Sequence, residues 1–248
     1  MTAREKPRVL ITGGGTGTGA AMALAFAASG HEVVIAGRRA GPLDEVAAQG
    51  GGRISRVIAD ITDEASVAAM FREAGPCPIV IANAGAASSA PFAKTTLADF
   101  EASIAVNLTG TFLTLRDGLR QIDGWGRLIA IASTAALKGY AYVAPYAAAK
   151  HGVVGMVRAL ALEVARREVT VNAICPGFLD TEMTARSIDN IVQKTGRSRD
   201  DAMASLTAPN PQRRLIAPEE VAAAAMYLSA PGSEGINGLA LPISGGEI

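Results

Sequence analysis

Disulfide chemistry has little to work with in this chain: its 248 residues include two cysteines, Cys77 and Cys175, and no C-x-x-C pair. A disulfide framework is excluded, and a reducing cytoplasm is the expected compartment. Net charge is also missing. The 23 Lys and Arg balance 23 Asp and Glu, where a nucleic-acid surface would carry a basic excess. No run of like charge marks a membrane patch or a charged tail. No apolar stretch reaches the ~18 residues expected of a membrane-spanning helix. The polar start, Met1-Thr-Ala-Arg-Glu-Lys-Pro-Arg8, lacks the apolar segment of a secretory signal. There are only 2 histidines, and no cluster of His, Cys, Asp and Glu has metal-ligand spacing, so no catalytic metal is expected.

What the chain has is alternation. Apolar residues make up 49%, much of it alanine, which favours helix and close helix packing. The length suits one sizeable α/β domain. Short apolar runs read as buried strands at 8–12, 31–36, 54–59, 78–82, 127–132, 169–174 and 239–243. Between them, helical patterns occupy 20–29, 43–49, 64–74, 97–122 (with a break near Val106-Asn107), 143–166 and 218–229. Near-continuous apolar strands separated by helices indicate a parallel sheet covered on both faces. No linker or repeat divides the chain. Residues 179–215 depart from this rhythm: they are polar and charged, end in Pro209-Asn-Pro211 and contain no strand pattern. A long insertion after a sheet strand reads as a substrate lid, the alternatives being an oligomer-facing or disordered loop.

Two local patterns carry chemistry. Gly13, Gly17 and Gly19 lie between the first strand and the first helix, where glycine lets the backbone turn tightly and approach a pyrophosphate held at the helix N-terminus. The spacing G-x-x-x-G-x-G differs from the commoner G-x-G-x-x-G fingerprint. Farther along, Tyr146 and Lys150 share one helix face at i and i+4, thirteen residues after Ser133. An ammonium beside a phenol favours the phenolate, so the pair is expected to lower the tyrosine pKa and make it a general acid and base. Other tyrosines, Tyr140, Tyr142 and Tyr227, read as packing, with Tyr140 a candidate to line the pocket. His31 and His151 read as structural or exposed, and Cys175 as a small buried hydrophobe.

Taken in order, these motifs resemble the short-chain dehydrogenase/reductase family over nearly the whole chain. T-G-x-x-x-G-x-G is Thr12 to Gly19, N-A-G is Asn83-Ala84-Gly85, and the helix asparagine is Asn107. The strand-end serine is Ser133, Y-x-x-x-K is Tyr146 and Lys150, and P-G is Pro176-Gly177, followed by Thr181. Thr18 stands where the family has an apolar residue, and Ala149 where it often has Ser. The resemblance implies an α/β Rossmann-type doubly wound parallel sheet of about seven strands, a single domain over 1–248 with the insertion after the sixth strand, and a homotetramer. It also implies an oxidoreductase that moves a hydride between a nicotinamide dinucleotide and a carbonyl or secondary alcohol. Tyr146 would be general acid and base, Lys150 would hold the nicotinamide ribose, Ser133 would bond the substrate oxygen and Asn107 would hold a relay water. Gly13, Gly15, Thr16, Gly17, Thr18, Gly19, Asp60, Ile61, Asn83, Gly85, Pro176, Gly177, Leu179 and Thr181 would border the cofactor.

The end of the second strand bears on which nicotinamide is used. An acidic residue there would bind the ribose 2′-hydroxyl and repel a 2′-phosphate. This chain has Gly37 at that position, followed by Arg38, whose guanidinium suits a phosphate. NADP(H) is the expected cofactor, with NAD(H) the alternative if Arg38 stacks on adenine. The basic residues Arg186, Lys194, Arg197, Arg199, Arg213 and Arg214 of the insertion fit an anionic thioester carrier or a solvated face equally well. Two other readings compete. One is a dinucleotide-binding sensor or scaffold, which would not need the Tyr–Lys pair. The other is an S-adenosylmethionine-dependent methyltransferase, which would not need Arg38.

Overall fold

The computed structural model describes residues 6–248; Met1 to Glu5 of the polar start lie outside the described residues. The elements, in chain order, are β1 (Val9–Thr12), α1 (Gly17–Ala28), β2 (Val33–Gly37), α2 (Ala40–Gln49), β3 (Ile54–Ile58), α3 (Glu64–Ala74), β4 (Ile79–Ala82) and α4 (Leu97–Ile104). They continue with α5 (Gly110–Gln121), β5 (Gly126–Ile131), α6 (Ala144–Glu163), β6 (Val169–Pro176), α7 (Glu182–Thr195), α8 (Arg199–Thr207), α9 (Pro218–Ser229) and β7 (Ala240–Ile243). The seven strands form one sheet in the order β3-β2-β1-β4-β5-β6-β7, and every neighbouring pair is parallel. This is the doubly wound α/β arrangement, in which the order reverses direction between β1 and β4 and opens a crevice beyond the carboxyl ends of those strands.

Side-chain alternation along each strand builds two cores. Val9 and Ile11 of β1 point to one face together with Ile35, Ile79, Ile81 and Ile129, where Met22 and Phe26 of α1, Leu43 of α2 and Val221 and Leu228 of α9 cover them. Leu10 points to the other face with Val34, Val80, Leu128 and Val171, under Val67 and Met70 of α3, Leu115 of α5 and Val153 and Val157 of α6. A strand buried on both faces is apolar at almost every position, as throughout β4; β1 departs from this at the buried Thr12 and β5 at the buried Arg127, whose guanidinium donates to the Gly126 carbonyl. Each fully buried Val, Leu or Ile contributes about 1.5–3 kcal/mol by leaving water.

The helical pattern at 97–122 resolves into two helices joined by one wide π-turn at Ala105–Thr109, at the expected break. Thr96 begins it with a reciprocal capping box. Its hydroxyl accepts the Asp99 N–H, and the Asp99 carboxylate accepts the Thr96 N–H. The extra residue in the π-turn rotates Asn107 inward until it is completely buried. Residues 179–215 hold two helices, α7 and α8, separated at Gly196 in a left-handed conformation (φ +70°). Their only sheet-like pairing among the described residues is the single bridge Leu179 to Ile216, which ties the two ends of the insertion together.

Candidate functional site

The glycine turn is shaped by close contacts that leave no room for side chains. Gly13 (φ +68°) and Gly17 (φ +50°) adopt left-handed backbone. A Cβ on Gly19 would sit 2.1 Å from the Gly13 carbonyl oxygen, and one on Gly14 2.5 Å from Ile35. Helix α1 starts at Gly17, three residues before the periodicity predicts, because its first turn is glycine and threonine rather than alanine. Thr16 caps it with extended backbone, and its side chain accepts no hydrogen bond from the helix. The free N–H groups of the first turn therefore face the crevice, the arrangement that binds a phosphate. Asn83 holds the turn in place. Its amide donates to the carbonyls of Thr12 (2.9 Å) and Gly13 (3.2 Å), and Thr12 Oγ1 accepts the Asn83 N–H (3.0 Å).

From this turn a groove of about 300 Å3 runs across the carboxyl ends of the strands. Its lining includes Gly13, Gly15, Thr16, Gly17, Thr18, Gly19, Arg38, Asp60, Ile61, Asn83, Gly85, Leu179 and Thr181, all singled out from the sequence. At one end, Arg38 is three-quarters exposed and its guanidinium lies 4.0 Å from the Asp60 carboxylate. Hydrogen bonds from the Thr62 N–H and hydroxyl hold the Asp60 carboxyl below its ordinary range, and so keep it ionised. Across the groove, Glu182, Met183 and Arg186 from the first turns of α7 also contribute. Sequence reading had noted Arg186 only as a charge of the insertion, because nothing in the local pattern says which turn of an inserted helix faces a cleft.

Beyond Gly85, at the other end of the groove, four polar residues converge. Ser133 lies two residues beyond the end of β5 and caps a 3₁₀ turn, its Oγ accepting the Ala135 N–H at 3.1 Å. Tyr146 and Lys150 lie on the first two turns of α6, which Pro145 opens. Lys150 is 3% exposed and donates to the Ile131 carbonyl at 2.8 Å, while its Nζ lies 5.7 Å from the centre of the Tyr146 ring. Asn107 donates to the carbonyls of Ala86 (2.8 Å) and Ser103 (3.0 Å), and its Oδ1 accepts the Ala86 N–H (3.1 Å). A Cβ on Gly85 would stand 2.9 Å from Asn107 Oδ1 and 3.7 Å from Lys150 Nζ, so only glycine lets the backbone pass between them. Pro176 ends β6 beside this cluster, and the N–H of Gly177, the next residue, donates to the Ile243 carbonyl of β7 (3.0 Å).

The electrostatics correct one expectation. Burial pushes the Tyr146 phenol above its ordinary range, and a hydrogen bond with Ser133 draws it back only in part. The Lys150 ammonium bonds the Ile131 carbonyl and makes no hydrogen bond to the phenolic oxygen, so the direct contact that the i and i+4 spacing suggests is not formed. Burial acts on the lysine as well, pushing Lys150 down to about 8. Cys175 beneath the cluster is fully buried, its thiol pushed up to about 11 by desolvation, and so behaves as the expected small hydrophobe. His31 is structural: its Nδ1 pairs with the Pro7 carbonyl at 2.7 Å and its ring meets Phe26 edge-on. Tyr140 is no simple packing residue, since its hydroxyl lies 2.7 Å from Thr134 Oγ1 and donates to Glu247 at 2.5 Å. Glu247 escaped the sequence reading because one carboxylate near a chain end carries no motif.

This geometry agrees with known proteins. The chain is 35% identical to the D-beta-hydroxybutyrate dehydrogenase of Cupriavidus necator, over 96% of each chain. It is 34% identical to the 3-oxoacyl-acyl-carrier-protein reductase MabA of Mycobacterium tuberculosis, over 96% of this chain and 91% of that one. Among solved structures, a variant of the actinorhodin polyketide ketoreductase with NADPH superposes with a TM-score of 0.90 at 32% identity, covering 100% of this chain and 99% of the other. Levodione reductase also superposes at 0.90, with 31% identity and 97% of each chain covered. The family model for short chain dehydrogenase matches residues 7–191, and this chain belongs to that family, as an oxidoreductase acting on CH–OH and carbonyl groups.

Proposed function

We propose that the protein interconverts a ketone, or a 3-oxoacyl compound, and its secondary alcohol, with NADP(H) as preferred cofactor and Tyr146 as general acid and base. The convergence of Ser133, Tyr146, Lys150 and Asn107 behind Gly85, which lines the groove, carries this reading. The residues present fit a dinucleotide. Side-chain-free backbone at Gly13, Gly17 and Gly19 and the open first turn of α1 would take the pyrophosphate. Asp60 and Ile61 would border the adenine, and Arg38 would meet a 2′-phosphate. Leu179, Thr181, Pro176 and Gly177 would flank the nicotinamide. When bound, the nicotinamide supplies or accepts the hydride.

In the reductive direction the Tyr146 hydroxyl gives its proton to the carbonyl oxygen, to which the Ser133 hydroxyl also donates, while the carbonyl carbon gains the hydride. The raised phenol pKa suits this direction, since the hydroxyl stays protonated at neutral pH and ready to donate. Lys150 has three N–H donors and uses one on the Ile131 carbonyl. The other two would hold the ribose hydroxyls and return a proton to Tyr146. Asn107 clamps the Ala86 backbone with its amide, which leaves one lone pair of Oδ1 facing Gly85 and Lys150 for the relay water.

Residues 179–215 would act as the lid over the groove, since Thr181 Cγ2 lies 3.2 Å from a Cβ placed on Gly17. A tetramer is supported by Leu97, Phe100 and Phe112 exposed on α4 and α5 and Leu162 exposed on α6. Two buried free thiols fit a cytoplasmic setting; no helix among the described residues is long and apolar enough to cross a membrane. The deciding experiment follows NADPH and NADH oxidation against a panel of ketones and 3-oxoacyl thioesters, with Tyr146→Phe as control. Turnover that depends on the tyrosine and prefers NADPH supports the proposal, and turnover that survives the substitution refutes it.

A further inference from the structure

We propose that Glu247 is a positioning residue, a latch that couples the return of the 179–215 insertion to the turn carrying Ser133. The inference rests on the reductase function proposed above. After β7 the chain turns over Gly245 (φ +63°) and Gly246 (φ +94°). This turn lies against the end of the insertion: a Cβ on Gly245 would fall 2.2 Å from Asn210 Oδ1, and one on Gly246 3.5 Å from Pro211. Asn210 is itself fixed, accepting the Gln212 N–H (2.8 Å) and donating to the Arg214 carbonyl (2.9 Å).

The next residue turns its carboxylate inward, leaving the Glu247 side chain 3% exposed. It accepts from the Tyr140 hydroxyl at 2.5 Å and from Lys138 Nζ at 2.8 Å. Its other oxygen lies 3.4 Å from a Cβ placed on Gly177. Both donors belong to the segment that follows Ser133, and Tyr140 reaches back to Thr134, the residue next to that serine. One buried carboxylate therefore joins the serine turn, the end of β6 and, through two glycines, the return of the insertion. Removing it takes from Lys138 its carboxylate partner and leaves the Tyr140 hydroxyl with Thr134 Oγ1 alone, so the serine turn loses its tie to the chain beyond β7.

The test compares Glu247→Ala and Glu247→Gln in the full-length chain, by steady-state kinetics on a ketone at saturating NADPH and by amide hydrogen exchange. The alanine variant is expected to lose about 10–30-fold in kcat with KM changed less than about threefold, because positioning is lost rather than binding. Its exchange should accelerate at least about tenfold in both 134–140 and 207–214. Glutamine keeps an oxygen acceptor and should return kcat to within about threefold of the parent protein. The latch is refuted if exchange rises in one segment only, or if glutamine fails to rescue. If Glu247→Ala does not fold, Tyr140→Phe carries the test: acceleration in both segments supports the latch, and acceleration confined to 134–140 refutes it. Exchange is read without substrate, so a parent protein inert on every ketone would refute the proposed function and still leave the latch to be decided.

Discussion

Lys150 points its ammonium at the backbone carbonyl of Ile131, 2.8 Å away, from a site that is 3% exposed. A single neutral acceptor does not compensate a buried charge, which is why burial pushes this lysine down to about 8 from its ordinary 10.5. On the proposed function, this lysine is held at the expense of stability. Lys150→Met should abolish most turnover and yet raise the unfolding temperature at pH 7 by a few degrees, on the order of 1–3 kcal/mol.

The pH dependence gives that prediction its sign. Below about 8 the lysine is protonated in both folded and unfolded chains, and the folded state bears the full penalty. Between about 8 and 10.5 the unfolded chain binds more protons, so this group makes stability rise with pH. The advantage of Lys150→Met over the parent protein should shrink across that window. Denaturant unfolding of both proteins from pH 7 to 10 measures it, and a difference that stays constant or widens would contradict the assignment.

Tyr146→Phe removes one oxygen and keeps the ring. The expected result is a loss of about 10²–10⁴-fold in kcat, with dinucleotide affinity changed less than about twofold, because the groove lining does not depend on the phenol. The raised phenol pKa adds a direction: reduction should hold across neutral pH and decline only in alkali, while alcohol oxidation should climb with pH. Reduction and oxidation rates followed over pH 6–10 with one substrate pair would expose the opposite trends, and parallel trends would remove Tyr146 as the titrating group.

Much of this was legible in the sequence for identifiable reasons. Strands such as Ile79–Ala82 are buried on both faces and so are apolar throughout, and the Ser133, Tyr146 and Lys150 spacing reflects one strand end facing one helix start. The break at Asn107 was visible, although its form as a π-turn was not, because an inserted residue leaves no distinct periodicity. The rise of the Tyr146 phenol is not legible in spacing because it comes from burial, which only the fold creates. Helical spacing puts Lys150 on the right face, but the direction of its ammonium is set by the Ile131 carbonyl, on a strand whose proximity only the fold creates. Arg186 likewise reaches the groove, and Glu247 reaches Tyr140 and Lys138, through tertiary packing.

Gly19 tests the phosphate cradle. An alanine methyl there would have to occupy space 2.1 Å from the Gly13 carbonyl oxygen and 2.6 Å from the Asn83 amide nitrogen. The first of these is backbone, so the turn itself must move. Gly19→Ala should weaken NADPH binding by at least about tenfold, since displaced N–H groups cannot converge on one anion, and should lower thermal stability. Gly41→Ala, with nothing within 4 Å of the added carbon, is the matched control. Equal NADPH affinities for the two variants, by fluorescence titration, would mean the turn does not hold the cofactor.

The proposed preference for NADP(H) rests on the end of β2. The Arg38 side chain is 74% exposed, and its partner Asp60 stands 4.0 Å away, a pairing too loose and too solvated to hold the guanidinium from a phosphate. A Cβ on Gly37 would meet nothing closer than Leu43 at 3.7 Å, so an acidic side chain fits there without disturbing the strand. Charge-assisted contacts of about 1.5–3 kcal/mol translate into roughly 10–150-fold in affinity. Arg38→Leu should therefore weaken NADPH by about that factor and leave NADH nearly unchanged. Adding Gly37→Asp should reverse the preference, because the carboxylate bonds a 2′-hydroxyl and repels a 2′-phosphate. The ratio of kcat/KM for NADPH to that for NADH decides the matter. A ratio unmoved by Arg38→Leu would show that the arginine does not read the phosphate, and equal losses for both cofactors would place it against the adenine instead.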